Sequence, residues 1–278
     1  MVNFIKFIKY LALGLIQGIT EPLPISSSGH MVILNSIFGD IIPTEAMNSF
    51  QIIVNFASLL AIIFFYRKII GELLGGSLNY IFKKEQQQKS KFLYLVYVLI
   101  ATIPAGIVGF IIKDYISYLT NILVVGICLF ITGLLLLYIH SIAKDATREE
   151  VTLKDSLLMG TGQIIGLLPG ISRSGVTTSF GVSNKLSLVS ALRFSFMMYI
   201  PVSIAAFAYD MFKTGISSEG YILGYIGAFF ASLFGTYFAI NLFFKLIKNK
   251  NLKYFGFYCL SISVIVLVLI AFGVFQWR

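Results

Sequence analysis

Charge is what this chain has least of. Asp, Glu, Lys and Arg make up 12% of its 278 residues, where a soluble domain carries roughly a quarter. It has two cysteines, two histidines, six prolines and one tryptophan. A composition that is 58% hydrophobic, with mean hydropathy +0.89, excludes an ordinary water-soluble core. Cys128 and Cys259 both fall inside apolar runs, which excludes a disulfide framework and a cysteine metal site and leaves them as small packing residues. A net charge of +9 raises nucleic acid as a partner, but lysines and arginines beside anionic lipid account for it, and no nucleic acid is expected.

What is abundant is apolar sequence in long runs: residues 50–66, 92–112, 121–140, 193–212, 221–247 and 254–277. Most approach or exceed the roughly 20 residues that a spanning helix needs. The first stretch, NFIKFIKYLALGLIQGIT, has a signal-peptide flavour but no small-residue cleavage site, and is expected to stay in the mature protein. The connections sort by charge. Loop 67–91 carries six Lys/Arg, 141–155 three and 245–253 four, whereas 113–120 and 213–220 carry one each. The positive-inside bias makes the rich loops cytoplasmic and puts both termini outside. Residues 1–49 and 156–192 then cannot cross; each is expected to enter the membrane, break and return. The expected fold is therefore all-α and integral to the membrane: six transmembrane helices plus two re-entrant helical hairpins in an inverted-topology repeat.

The repeat is visible in the letters. Gln17-GITEPLP-ISSSG parallels Gln163-IIGLLPG-ISRSG, with the proline shifted by one residue. Each cluster is followed by a Phe-led span (FQIIVNFASLLAIIFFYRK; FSFMMYIPVSIAAFAYDMFK) and two further spans. Repeat one is read as 1–140, with hairpin 3–42, and repeat two as 156–278, with hairpin 156–186. Three spans per half make the second hairpin enter from the opposite face. Such repeats build their site where the broken helices meet.

The two tips then pool their polar groups. The first offers Gln17, Glu21, Ser26, Ser27, Ser28 and His30; the second offers Gln163, Ser172, Arg173, Ser174, Thr177 and Thr178. A guanidinium at membrane depth needs an anionic partner or a polar cavity. Arg173 beside Glu21 satisfies that as a plain ion pair. Ser- and Gly-led helix starts, with free N–H groups and a positive dipole end, add anion-binding capacity, and the whole donor set suits a phosphate. His30 lies three and four residues after Ser27 and Ser26, one helical face, so it can activate a serine as base. Glu21 can orient that histidine, act as base itself or hold a divalent ion. N-capping explains a single serine at each tip without invoking chemistry. His140 reads as an interfacial helix-end residue.

QGITEPLPISSSGHM and LLPGISRSGVTTSFG resemble the two signature motifs of undecaprenyl-diphosphate phosphatases of the bacitracin-resistance type, and the likeness runs through the whole chain. The resemblance implies a membrane phosphatase that takes the terminal phosphate from a C55-type polyprenyl diphosphate and returns the monophosphate carrier to cell-wall glycan synthesis. It implies Glu21, Ser27, His30 and Arg173 as catalytic groups, and Ser26, Ser28, Ser172, Ser174 and Thr177 around the phosphate. Gln17, Gln51, Asn55 and Gln163 are supporting polar residues. Gln17 and Gln51 stand where many relatives have Glu, and Asn55 where many have Gln. An amide does not titrate and binds hard cations less well than a carboxylate, so the acid–base role falls to Glu21 and His30. A divalent ion, magnesium or calcium, is expected to assist at Glu21, with no organic cofactor. The acid-phosphatase mechanism is rejected because no histidine follows position 140.

The expected partners are the polyprenyl diphosphate and the membrane, in a multi-pass plasma-membrane protein whose active site opens on the outer face. The alternative function is transport, a flippase of polyprenyl phosphate, since inverted repeats with broken helices also build transporters.

Overall fold

A computed structural model describes residues 2–39, 42, 44–213, 215–216, 221–248 and 252–275. The remainder, including part of the turn expected at 213–220 and the last residues of the span expected at 254–277, lies outside the described residues. Ten α-helices and no named strand occur among the described residues: α1 (Val2–Thr20), α2 (Ser27–Phe38), α3 (Thr44–Lys83), α4 (Lys89–Leu119), α5 (Ile122–Ile142), α6 (Leu153–Ile165), α7 (Arg173–Ser183), α8 (Leu188–Lys213), α9 (Ile222–Lys248) and α10 (Leu252–Ala271). Helices α3, α4, α5, α8, α9 and α10 are long and apolar enough to cross a membrane. This is a multi-pass membrane protein. Two expectations fail: the connection expected at 113–120 is nearly all helix, since α4 runs to Leu119, and residues 67–91 are not a loop. Helix α3 runs on to Lys83, a short 3-10 turn (Gln86–Gln88) follows, and α4 starts at Lys89. The stretch lacks an internal proline, and its leucines, isoleucines and aromatics continue the helical pattern past Arg67 and Lys68.

The four remaining helices form two broken pairs. Between α1 and α2, Pro22 and Pro24 cannot continue a helix, and Ser26 restarts one by capping it: its hydroxyl accepts from Gly29 N–H at 3.2 Å. Between α6 and α7, Pro169 and Gly170 break the chain, the glycine at φ 94°, and Ser172 caps α7 through Gly175 N–H at 3.1 Å.

Small residues decide how these pairs dock. A Cβ on Gly14 or Gly18 would meet the Cα of Ala228 or Ser232 at 2.6 or 2.7 Å, so α1 lies backbone-to-backbone along the first half of α9, running parallel to it. Gly160 meets Ala101 in the same way, and Ser156 Oγ donates to the Tyr97 carbonyl at 2.6 Å, so α6 runs parallel to the first half of α4. Helix α3 is also parallel to α9: Tyr225 Oη bonds the Ala46 carbonyl, and Thr236 Oγ1 bonds Ser58 Oγ. Helix α4 returns antiparallel to α3, with Tyr80 stacked on Phe92 at 5.1 Å. The two broken pairs therefore enter the bundle from opposite ends, and Gly29 and Gly170 bring their tips to van der Waals contact.

The base of the second pair is tied down. Asp155, fully buried, accepts both ends of the Arg148 guanidinium at 2.7 Å, the Thr152 backbone and hydroxyl, and Asn184 Nδ2. Arg148 also donates to the Asn184 carbonyl and pairs with Leu186 through a backbone bridge. One carboxylate thus joins the start of α6 to the end of α7. Burial pushes its pKa up, but hydrogen bonds from Arg148, Thr152 and Asn184 outweigh that and hold it below the ordinary carboxylate value.

Candidate active site

A cavity of about 560 Å³ opens between the two tips and the facing sides of α3 and α8. Along α3 its wall runs from Met47 through Gln51 and Asn55 to Ile62; along α8 it runs from Ser195 through Tyr199 to Asp210. The floor is polar, built from Gln17, Glu21, Ser27, Gln163 and Arg173, and the sides between are largely apolar.

Glu21 is the hub. Its Oε2 accepts Ser27 Oγ–H at 2.5 Å and Gln17 Nε2 at 3.0 Å, and its Oε1 accepts Arg173 Nη2 at 2.8 Å. Gln17 also donates to Asn55 Oδ1 at 2.8 Å, which fixes its amide with the nitrogen toward the carboxylate. The ion pair bridges the two tips: Glu21 sits on the first, and Arg173 begins α7. The Glu21 side chain is 8% exposed and that of Arg173 29%, so the guanidinium reaches into the cavity while the acid lies beneath it. The Arg173 guanidinium carbon lies 4.1 Å from the centroid of the buried Tyr199 ring, which fixes the plane of the fork.

The capping serines work as a matched pair. Ser26 and Ser172 are buried N-caps, and the hydroxyl two residues on approaches each: Ser28 at 3.3 Å and Ser174 at 3.4 Å. Ser28 and Ser174 both face the cavity. The first-turn N–H groups of α2 and α7 lack intrahelical partners, and both positive helix ends converge on one space. Thr132 of α5 holds the second tip by accepting Ser172 N–H at 3.1 Å and donating to the Gly170 carbonyl at 3.0 Å. Ser26 sits at φ 66°, ψ 92°, a conformation that favours glycine.

Not every expected group arrives. His30 does not pair with Ser27 and does not line the cavity. Its Nδ1 bonds the Ser26 carbonyl at 2.7 Å, its Nε2 bonds Tyr258 Oη at 2.7 Å, and its ring stacks on Tyr258. A carbonyl only accepts, so Nδ1 carries a proton. The carboxylate at Ser27 is Glu21. The two side chains find different partners: Ser27 is held by Glu21 of its own tip, and His30 by the Ser26 carbonyl and Tyr258 of α10. Thr177 is also turned away from the cavity; fully buried, it bonds the Arg173 carbonyl at 2.9 Å and Ser195 Oγ at 2.6 Å, bracing the first turn of α7 against α8. Gln51 and Asn55 line the cavity from α3, and the buried Gln163 lines its floor with no hydrogen-bond partner at Nε2.

Two residues that matter here carried no motif: Tyr199 and Thr132. The repeat held a signal for Tyr199. Aligning the Phe-led spans on Phe50 and Phe194 puts Asn55 opposite Tyr199, so each half sends one side chain from the same helical position toward the ion pair, Tyr199 to Arg173 directly and Asn55 to Glu21 through Gln17. Thr132 lies in a continuous apolar run and offered none.

Residues 10–265 match the family described as bacitracin resistance protein BacA. The chain is 40% identical to undecaprenyl-diphosphatase 2 of Bacillus thuringiensis (strain Al Hakam), over 96% of this chain and 99% of that one. It is 40% identical to undecaprenyl-diphosphatase of Oceanobacillus iheyensis, over 96% and 98%, and 36% identical to undecaprenyl-diphosphatase of Acholeplasma laidlawii, over 97% and 99%. The chain belongs to the bacitracin resistance protein family.

Proposed function

We propose, from that membership, that this chain is an undecaprenyl-diphosphate phosphatase that hydrolyses the lipid diphosphate to the monophosphate and inorganic phosphate, recycling the carrier for cell-wall glycan synthesis. The observation that carries the reading is Ser27 Oγ–H held at 2.5 Å by a carboxylate that also binds Arg173, at the floor of a cavity facing two helix N-termini.

The terminal phosphate sits between the starts of α2 and α7. N–H groups of both first turns and the Arg173 fork take its non-bridging oxygens. Glu21 accepts the Ser27 proton as Oγ attacks phosphorus, the bridging P–O bond breaks, and the lipid monophosphate leaves with the bridging oxygen. Glu21 passes that proton to the departing monophosphate oxygen; water then cleaves the serine phosphate, giving its proton to Glu21, which returns one to the Ser27 oxygen as it leaves phosphorus. The same carboxylate serves if water attacks directly, with Ser27 holding that water. Arg173 and the helix ends meet charge spreading over the equatorial oxygens, and Tyr199 and Gln17 hold the two charged partners in place. His30 acts at one remove, fixing the Ser26 carbonyl behind the nucleophile.

The donor set at the tips fits a magnesium ion carried in on the diphosphate, since magnesium is commonly held by one carboxylate and substrate oxygens; Glu21 would be that carboxylate. Such an ion would supply charge neutralisation at the phosphate oxygens. Among the described residues no three His, Cys, Asp or Glu cluster, so a magnesium or calcium ion would take its other oxygens from the substrate and water. The cavity wall extends toward Met47, Thr120 and Asp210, away from the Lys/Arg-rich segments 67–91, 141–155 and 245–253, which supports an opening on the outer face. That arrangement also supports hairpins that enter and return without crossing, as an inverted repeat of 1–140 and 156–278.

The test is phosphate release from farnesyl diphosphate by purified protein in detergent. The wild type releases phosphate and Arg173→Ala does not; equal, slow release by both would overturn the reading.

A further inference from the structure

The glutamines near the ends of α1 and α6 occupy one position of the repeat and have different fates. Gln17 and Gln163 stand nine residues before Ser26 and Ser172, and both are buried at the cavity floor. Gln17 Nε2 donates to Glu21 Oε2 at 3.0 Å and to Asn55 Oδ1 at 2.8 Å. In the register of the repeat, the first acceptor is replaced by Leu167 and the second by Tyr199. A leucine side chain accepts nothing, and Tyr199 is engaged with Arg173. Gln163, 1% exposed, is left with no hydrogen-bond partner at Nε2 among the described residues. Its place is beside the cation. Gly166, three residues on along the same face of α6, lies so near that a Cβ there would meet the Arg173 Cα at 2.9 Å.

A buried amide without a partner has lost its hydration and gained nothing in return, so such groups persist where a ligand or a water completes them. The surroundings select the ligand. Arg173 and the positive end of α7 make this part of the floor a place for an anionic oxygen. A carboxylate at position 163 would compete with Glu21 for the guanidinium, whereas an amide donates to an anion and leaves the fork free. No bond fixes the amide, so rotation about its last torsion aims its N–H into the cavity. We infer that Gln163 is a substrate contact, its N–H taking an oxygen of the terminal phosphate held by Arg173. This rests on the phosphatase reading and adds a donor to it. The repeated glutamine is then divided like the rest of the site: Gln17 orients the carboxylate, and Gln163 binds the anion.

Gln163→Met keeps the length and the burial and removes the donor. In the purified, detergent-solubilised protein it should raise KM for farnesyl diphosphate about tenfold, the weight of one hydrogen bond to a charged group, with kcat nearly unchanged. Its ligand-free unfolding midpoint should hold or rise, because an unpaired buried amide is gone. Methylenediphosphonate, which is not hydrolysed, should raise the wild-type midpoint and raise that of Gln163→Met distinctly less. Gln163→Glu keeps the shape but sets a like charge against the phosphate, and should lose about a hundredfold in kcat/KM. If Gln163→Met does not fold, Gln163→Glu decides alone, and wild-type kinetics there overturn the inference. An unchanged KM in Gln163→Met overturns it as well; a lower midpoint beside that unchanged KM would mean that the amide holds a structural water only. A raised KM with an undiminished methylenediphosphonate shift also counts against it. A wild type that releases no phosphate sinks the phosphatase reading instead, and the methylenediphosphonate shifts still judge Gln163.

Discussion

The two broken helix pairs share a plan and divide the chemistry. Each has a Gln nine residues before a capping serine, a second hydroxyl two residues after the cap, and a glycine whose N–H the cap accepts. In that register Glu21 stands opposite Leu167, and Ser27 opposite Arg173. Two positions therefore separate an acid-and-hydroxyl tip from a cationic tip, and the Glu21–Arg173 bond closes the site across them. Mechanically the tips differ again. The second is braced by Thr132 and tied at its base by Arg148 and Asp155, with Ser172 at an ordinary φ of −76°. The first carries its capping serine at φ 66°. On the proposed mechanism, a repeated backbone supplies two anion-binding helix ends, and the departures from symmetry turn a passive anion cradle into a phosphatase. The cationic tip is held rigid, and strain is kept where Ser27 is aimed.

Breaking the division at its centre has the largest effect. Glu21→Gln and Arg173→Ala should each lower kcat/KM for farnesyl diphosphate by about a thousandfold, near 4 kcal/mol of transition-state stabilisation. Because the two act as one unit, the double variant should be little worse than either single one. Losses that multiply in the double variant would mean that the tips work independently.

The base of the second pair comes next. Asp155→Asn leaves Arg148 without its anion and should destabilise the protein by about 3 kcal/mol, the low end for a broken buried pair because Arg148 keeps part of its side chain in solvent. Thermal unfolding in detergent measures this. The pH dependence follows from the sign of the shift. A carboxyl held below its ordinary value stabilises the fold fully above that value and loses the contribution as pH falls through the folded value. The wild type should therefore lose stability below about pH 4 more steeply than Asp155→Asn.

A smaller effect tests whether the symmetric positions Asn55 and Tyr199 are true counterparts. Tyr199→Leu removes the ring beneath Arg173 and should raise KM about tenfold, the range of a desolvated cation–π contact, with a smaller fall in kcat. Tyr199→Phe keeps the ring and should stay close to wild type. A phenylalanine variant as poor as leucine would assign the work to the hydroxyl.

Much of this was legible in the letters because it depends on local chemistry. Six apolar runs mark six long helices, and proline with glycine marks both breaks, since those residues cannot continue a helix wherever they sit. The Ile-Ser-x-Ser-Gly echo marks both caps for the same reason. What could not be read depends on rotation and distance. Ser27 and His30 share a helical face by count, yet one bonds Glu21 and the other Tyr258 of α10, 228 residues away, which no local spacing announces. The extension of α3 reads as a loop in the letters because its charges mark a boundary, yet they flank a helix that continues between them. The clamp at Asp155 joins residues 7 and 29 apart in sequence, and no spacing rule connects them.

The smallest expected effect is the sharpest test of the mechanical difference, because it changes sign. Ser172→Gly loses a cap hydroxyl and gains backbone freedom at an ordinary φ, so it should lower stability by about 0.5–1 kcal/mol. Ser26→Gly loses the same hydroxyl but releases a residue from a conformation that disfavours every side chain, about 1 kcal/mol or more in the other direction. Unfolding midpoints should therefore fall for Ser172→Gly and hold or rise for Ser26→Gly. Activity should run the opposite way, with kcat dropping further for Ser26→Gly, because the freed turn no longer fixes Ser27 against Glu21. If both variants destabilise equally, the first tip stores no strain, and Ser27 owes its aim to the Glu21 hydrogen bond alone.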